Sequence, residues 1–266
     1  NEFLNKRSEI TNGLNMLKNF KGNVFFNKVV LTYNETKIKA LDKISFNVKS
    51  GESLGVLGKV GSGKTSILDL ISRVYDPNSG DVYIDNVDLK SLNINWLRSQ
   101  IGYVPQNPFL FSESISENIK FGKINSNLEE VKNASENANV NIDIESFSKK
   151  YDTIIGERGV KLSGGQIQRI SIARAIIRNP KILLLDDCLS SVDIKTEKEI
   201  IRNLKKIRNN KTTIIVSHRI SSIKHCDKII VLKKGKIIEQ GNHKSLKKNN
   251  GYYHKLFNKQ NTENSI

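Results

Sequence analysis

Gly58-Lys59-Val60-Gly61-Ser62-Gly63-Lys64-Thr65 fits the pattern G-x-x-x-x-G-K-[ST]. The stretch follows an apolar run, Leu54-Gly55-Val56-Leu57, and precedes a segment in which Ile67, Leu70, Ile71 and Val74 recur at i, i+3, i+4, i+7. That spacing predicts a strand, a glycine-rich turn and then a helix over Ser66 to Val74. Such a turn cradles phosphate, because glycines let the backbone curl until several N–H groups face one anion, and the helix end adds partial positive charge. Lys64 is then placed to reach the β- and γ-phosphates of a nucleotide, and the Thr65 hydroxyl to bind Mg2+. A glycine-rich turn with a chance lysine is the plain alternative. It fails on context, since strand and helix flank the motif where a P-loop requires them.

The chain around this motif has 266 residues, enough for one large domain or two small ones with a real core. Hydrophobic residues make up 37% and charged residues 26%, and no run approaches the roughly 18 apolar residues of a membrane span. The start, Asn1-Glu2-Phe3-Leu4-Asn5-Lys6-Arg7, has neither the apolar stretch of a secretory signal nor an initiator methionine, and reads as the start of a fragment. Cys188 and Cys226 have neither disulfide-framework nor zinc spacing, which points to a reducing, cytosolic setting and to plain core cysteines. A net charge of +16 raises nucleic acid or an anionic membrane surface as partners. The lysines, however, are spread along the chain among abundant asparagine and isoleucine, and only Lys205-Lys206, Lys233-Lys234 and Lys247-Lys248 pair up, so compositional bias is the favoured reading.

Residues 1–22 are polar with sparse apolar positions, among them Leu14, Leu17 and Phe20, and are expected to be a linker of some helical tendency outside the core. From Asn23 the pattern turns to strands: Val24-Phe25-Phe26, Val29 to Tyr33, and Ile44 to Val48 in strict alternation. Tyr33 reads either as an exposed aromatic able to stack on a base or as an ordinary strand-end tyrosine. Asp81 to Asp85 and Ile101 to Val104 are further strands, the second stopped by Pro105 so that Gln106 faces a loop. Residues 107–160 carry apolar positions at roughly helical spacing, including Leu128, Val131, Ala134, Ala138, Ile142, Ile144 and Phe147.

Leu162-Ser163-Gly164-Gly165-Gln166 then opens a second anion-ready helix, with Ser163 as N-cap and Ile170, Ala173 and Ile177 on one face. Lys181 to Asp187 is an apolar strand delivering acids to its C-terminal edge, so Asp186 is an expected Mg2+ partner. Ser190-Ser191-Val192-Asp193 leads into a helix containing Ile194, Ile201, Leu204 and Ile207. A last buried strand, Thr212 to Val216, carries His218 to the same edge, where a phosphate contact is favoured over a purely structural histidine. The tail holds a strand at Lys228 to Leu232, a turn at Lys234-Gly235, a strand at Lys236 to Gln240, and a helix near Tyr252 to Phe257.

One nucleotide needs one such loop, and this chain has two. The order of P-loop, Leu162 to Gln166, acid-tipped strand, Ser190 to Asp193 and His218 resembles the nucleotide-binding domain of ATP-binding cassette (ABC) transporters, over about residues 23–258. The resemblance implies an α/β fold with a P-loop NTPase (RecA-like) parallel-sheet core, an N-terminal antiparallel β subdomain and a helical subdomain at about 107–178. It also implies an ATP-hydrolysing exporter motor in which two domains stack head to tail, ATP lying between one P-loop and the other's signature. ATP then falls to Tyr33, Gly58, Gly61, Ser62, Gly63, Lys64, Thr65 and Ser66, and the partner's ATP to Ser163, Gly164, Gly165 and Gln166. Mg2+ falls to Thr65, Asp186 and the Q-loop Gln106; catalysis falls to Asp187, His218 and Gln106; Asp193 becomes the D-loop acid. Thr153 to Gly159 resembles the loop near an exporter's coupling helices, and Tyr252 to Phe257 resembles the exporter tail. Residues 1–22 resemble the linker from a transmembrane domain, with residues 23–266 forming the ATP-binding domain at the cytoplasmic face of a membrane.

Two positions depart from the family pattern. Asp187 stands where glutamate is usual, and Ile167 follows the signature where a polar residue is usual. The aspartate resembles the degenerate site of heterodimeric exporters, whose partner borrows an intact signature, so a heterodimer is favoured over a slow homodimer. A DNA-maintenance ATPase head would need a long coiled coil between P-loop and signature, and the roughly hundred residues there have no sustained heptads. A soluble cassette protein outside transport normally holds two cassettes per chain, and this chain holds one. No nucleic-acid partner is expected.

Overall fold

The computed structural model describes residues 10–156, 159–207 and 211–263. In chain order the strands and helices are β1 (Val24–Thr32), β2 (Lys39–Val48), β3 (Ser53–Gly58), α1 (Lys64–Ile71), β4 (Ser79–Ile84), β5 (Val87–Asp88), α2 (Ile94–Ser99), β6 (Ile101–Val104), α3 (Ile115–Lys120), α4 (Leu128–Asn137), α5 (Asn141–Ser146), α6 (Gly164–Ile176), β7 (Ile182–Asp186), α7 (Ile194–Ile207), β8 (Thr212–Ser217), α8 (Ile220–Ile223), β9 (Lys228–Lys233), β10 (Lys236–Gly241), α9 (His243–Lys248) and α10 (Tyr252–Glu263).

Two sheets divide these strands as the hydrophobic patterns require. β1 and β2 alternate, burying Val24, Phe26, Val29 and Leu31 on one strand and Leu41, Ile44, Phe46 and Val48 on the other. They pair antiparallel, with Phe26 opposite Phe46, inside a four-stranded sheet of order β2-β1-β4-β5. β3, β7 and β8 instead read as continuous apolar runs, and every residue in them is buried. They lie in a six-stranded sheet of order β10-β9-β3-β8-β7-β6, parallel throughout except for the β10–β9 edge. Register puts Leu57 beside Ser217, Asp186 beside Val216, and Val104 beside Leu185. The P-loop, Asp186 and Asp187, His218 and Gln106 therefore all emerge from one edge, the C-terminal one, where α/β sheets bind ligands.

α1 differs from its expected range. Gly63, at φ 97°, starts the helix at Lys64, and it stops at Ile71 because the Ser72 hydroxyl bonds back to the Leu68 carbonyl and Arg73 turns left-handed at φ 53°. That reversal buries Arg73, whose guanidinium donates to Asp76, the Leu92 carbonyl and the Thr11 carbonyl, and it leaves Val74 out of the helix and 46% exposed.

The segment before Asn23 also differs. Residues 10–22 contain no helix; Asn15 makes a bridge to Leu92, and Leu17 and Phe20 pack against the core, Phe20 edge-on to Trp96 at 5.2 Å. Hydrogen bonds to distant groups, from Ile94 N–H to Asn12 and from Arg73 to Thr11, outweigh the local propensity. Residues 1–9 of the expected linker lie outside the described residues, as do Glu157 and Arg158 of the loop at Thr153 to Gly159 and residues 264–266 of the tail.

Between the P-loop and α6 the helices are short. α4 buries Val131 and Ala134 under a capping box made by Asn127 and Glu130, with Ala138 buried just beyond it, while Ile142, expected inward, is 76% exposed. α9 was not expected from the sequence; Asn242 and Ser245 cap it reciprocally. Both cysteines are buried and neither forms a disulfide among the described residues, and the three lysine pairs are exposed. Among the described residues no helix is long and apolar enough to cross a membrane.

Candidate functional site: a phosphate cradle at the sheet edge

The P-loop is held by one of its own side chains and by a neighbouring turn. Lys64 Nζ donates to the Lys59 carbonyl at 2.9 Å, and the turn between β9 and β10 pins the loop through Gly235 N–H to the Ser62 carbonyl at 3.2 Å. Only glycine fits at position 63: φ is 97°, and a Cβ there would lie 2.3 Å from the Ala40 carbonyl oxygen. Burial lowers the Lys64 pKa, and the carboxylates of Asp187 and Asp186 oppose that shift. Ser62 Oγ is buried without a hydrogen-bond partner, an orphaned polar atom inside the cradle.

Asp186 at the tip of β7 accepts from the Thr65 hydroxyl at 2.8 Å, joining the two expected Mg2+ partners. Desolvation raises the Asp186 pKa, the Thr65 hydrogen bond opposing and nearby Asp187 adding to the rise. Among the described residues no cluster of three His, Cys, Asp or Glu side chains could cage a metal. A hydroxyl and one carboxylate at a phosphate cradle are instead the donor set of a Mg2+ that takes its other ligands from phosphate and water.

Asp187 follows in a left-handed conformation, φ 45°, which aspartate tolerates better than most residues. Its two oxygens are engaged by His218 Nδ1 at 2.7 Å and by the Ser217 hydroxyl at 3.3 Å. Gln106 stands exposed just past β6. Tyr33 is half-buried rather than fully exposed: its hydroxyl shares a hydrogen bond with Ser66 Oγ at 2.7 Å, and its ring meets Tyr75 edge-on at 5.1 Å.

The second helix tip is built separately. Ser163 and Gln166 form a capping box at the start of α6, Gln166 also donating to Asp143 at 3.0 Å, and Arg169 pairs with Asp143 at 2.7 Å. Gln168, buried one turn into α6, accepts from the Ser191 N–H at 3.1 Å and docks this tip onto the loop at Ser190 to Asp193. Asp193 accepts from the N–H groups of Lys195 and Thr196, both at 3.0 Å, and the Thr196 bond leads in holding its carboxyl below the usual range. Among the described residues no hydrogen bond links Ser163 to Gly165 with the P-loop.

A family model described as "ABC transporter" matches residues 41–190 of this chain. The chain belongs to the ABC transporter family. It is 44% identical over 97% of its length to an uncharacterized ABC transporter ATP-binding protein, YknU, of Bacillus subtilis, covering 45% of that protein. It is also 44% identical over 90% of its length to a probable multidrug resistance ABC transporter ATP-binding/permease protein, YheI, of the same organism, covering 41% of it. Among solved structures, a bacterial Atm1-family ABC exporter with ATP bound superposes at TM-score 0.92 with 34% identity, over 97% of this chain and 46% of that one. The chain spans less than half the length of these relatives, and a fifth of the ABC transporter B family member 13 of Arabidopsis thaliana. It carries the ATP-binding cassette of that family, on the P-loop NTPase fold expected from its motifs.

Several residues around this ABC site were not legible as motifs. Asp69 projects from α1 with its pKa raised to about 6, chiefly by burial and further by Asp186. Tyr103 on β6 is pushed up by burial, with Asp186 and Asp69 adding to the effect. Glu197, 1% exposed in α7, accepts from the hydroxyls of Ser221 and Ser222 just past His218. Helical periodicity marks a face, not a polar contact between elements, so none of these had a sequence signal.

Proposed function

We propose that this chain binds Mg-ATP and hydrolyses it, and that it pairs with a second nucleotide-binding domain to drive a substrate across a membrane through a transmembrane domain. The arrangement that carries the reading is the row of Lys64, Thr65, Asp186, Asp187 and His218 on one sheet edge, tied together by the Thr65–Asp186 and Asp187–His218 contacts. Lys64 is set to leave the Lys59 carbonyl for the β- and γ-phosphates, and the backbone N–H groups from Gly61 to Thr65, with Ser62 and Ser66, supply the rest of the cradle. Thr65 and Asp186 would hold Mg2+, with Gln106 added from the loop after β6; the ion, when bound, would neutralise developing phosphate charge. Tyr33 is offered to adenine, which requires its hydroxyl to release Ser66. His218 is the phosphate-facing histidine, and Asp187 orients the attacking water.

The own-site reaction is read as slow. Asp187 is one methylene shorter than glutamate and both its oxygens are held back by His218 and Ser217. Ser163, Gly164, Gly165 and Gln166 are offered to the partner's ATP, and a partner with a full acid favours a heterodimer. Residues 23–266 are read as the ATP-binding domain and residues 107–178 as its helical subdomain, working at the cytoplasmic face of a membrane.

Isothermal titration of the chain with Mg-ATP tests the foundation. Lys64→Ala is expected to weaken binding by about a hundredfold, since a fixed cation on phosphate contributes on the order of 1.5–3 kcal/mol. Undiminished affinity in that variant would remove the P-loop from the nucleotide site.

A further inference from the structure

α8 is four residues long, and Arg219 before it supplies no side-chain cap, so the first N–H of that helix needs an acceptor from elsewhere. Gln260 of α10 provides one: its Oε1 accepts from Ile220 N–H at 2.9 Å, while its Nε2 donates to the His218 carbonyl at 2.9 Å. One amide thus grips the backbone on both sides of Arg219, directly behind the histidine that faces Asp187. Only one orientation of the amide satisfies both contacts, because a carbonyl accepts and an N–H donates.

The helix that carries Gln260 is itself anchored. Glu239 on β10 accepts from the N–H groups of Tyr252 and Tyr253 at its start; Tyr253 is fully buried, with its hydroxyl 2.8 Å from His243 Nδ1. Leu256 and Phe257 pack against the core. His218, Gln260 and Asp193 line one cleft of about 920 Å3 between α10 and the loop at Ser190 to Asp193. We propose that Gln260 is a positioning residue for His218, and that the C-terminal helix thereby sets the geometry of the ATP-hydrolysing edge without touching nucleotide. The inference rests on the reading of His218 as the phosphate-facing histidine. A misplacement of about 1 Å at such a group lowers the rate by up to about a hundredfold while leaving nucleotide affinity, set by the P-loop, untouched.

The test uses the 266-residue chain paired with a second cassette whose glutamate after the acid-tipped strand is changed to glutamine, so that slow turnover at this chain's own site is read with sites in excess over Mg-ATP, together with the ATP Kd and the histidine ring signals in 1H–13C spectra. Gln260→Ala is expected to slow turnover by about five- to twentyfold with Kd within about twofold, and to move the His218 ring signal. Gln260→Glu, which keeps an acceptor for Ile220 but no donor for the His218 carbonyl, is expected between wild type and Gln260→Ala. Lys255→Ala, exposed on the same helix, is expected to match wild type. Wild-type turnover in both Gln260 variants, with His218→Ala slow, overturns the positioning role alone; an unmoved His218 signal in Gln260→Ala does the same. Wild-type turnover in His218→Ala overturns the histidine's role and the inference built on it.

Discussion

Asp187 leaves β7 in a left-handed turn and engages both carboxylate oxygens at the end of β8, one with Ser217 and one with His218 just past it. Glutamate at this position extends the carboxylate by roughly 1.5 Å, one carbon–carbon bond, away from the strand tip. Asp187→Glu is therefore expected to raise ATP turnover by about ten- to a hundredfold when the domain is paired. Phosphate release at saturating Mg-ATP reads it, and an unchanged rate means the aspartate is no handicap. Asp69 presents a different single-residue problem, since partial burial lifts its pKa to about 6 and the Asp186 carboxylate adds to the lift. A carboxyl raised in the fold favours folding while protonated. That contribution is whole below about pH 4, the unfolded value, and is lost as the pH climbs through 6. Asp69→Asn stays neutral, so it should equal wild type near pH 4 and exceed it at pH 8 by about 1 kcal/mol after discounting for solvent screening, roughly 2 °C in Tm. Thermal melts in EDTA at the two pH values measure this, and an advantage at pH 4 as large as that at pH 8 would contradict it.

Elements were legible where one local pattern decided them. The alternation in β1 and β2 and the unbroken apolar runs of β3, β7 and β8 give both sheets, and their ends give the site edge, because a buried parallel strand has only one place to deliver acids. What stayed hidden depends on partners far away in sequence. α1 ends early because Arg73 turns inward to Thr11 and Leu92, and the segment before Asn23 joins the core because Trp96 offers an edge to Phe20. In the site, Lys64, Thr65, Asp186 and His218 were readable from motif and strand end, whereas Glu197 and Gln260 act through contacts spanning 24 to 42 residues. The docking of the N-terminal segment makes a stability prediction at this scale. Phe20 is half-buried, so Phe20→Ala should cost about 1–2 kcal/mol, below the 3–5 of a fully buried phenylalanine. A shift in the urea midpoint at constant m-value reports it, and no shift would mean that the segment rides on the surface without contributing.

The whole chain presents two phosphate-ready helix tips with no hydrogen bond between them among the described residues. One is walled by β9, β7 and Asp186, the other seated on α5 and the loop at Ser190. In the proposed arrangement each tip is half of a nucleotide site, the P-loop covering one side of a triphosphate and Ser163 to Gly165 offering an exposed end to another. On the proposed reading two cassettes facing head to tail complete both sites, and one copy completes neither. The chain, 30.0 kDa alone, is accordingly expected to sediment as a monomer without nucleotide and to form a 1:1 complex with Mg-ATP and a second cassette that carries glutamate after its acid-tipped strand. Ser163→Arg in this chain should abolish that complex by filling the offered end with a cationic side chain, while its own ATP affinity, set at the other tip, stays within about twofold. Sedimentation velocity distinguishes the outcomes. Self-association with Mg-ATP as tight as the mixed complex would replace the heterodimer by a homodimer, and full turnover by a persistent monomer would mean that both tips serve one nucleotide.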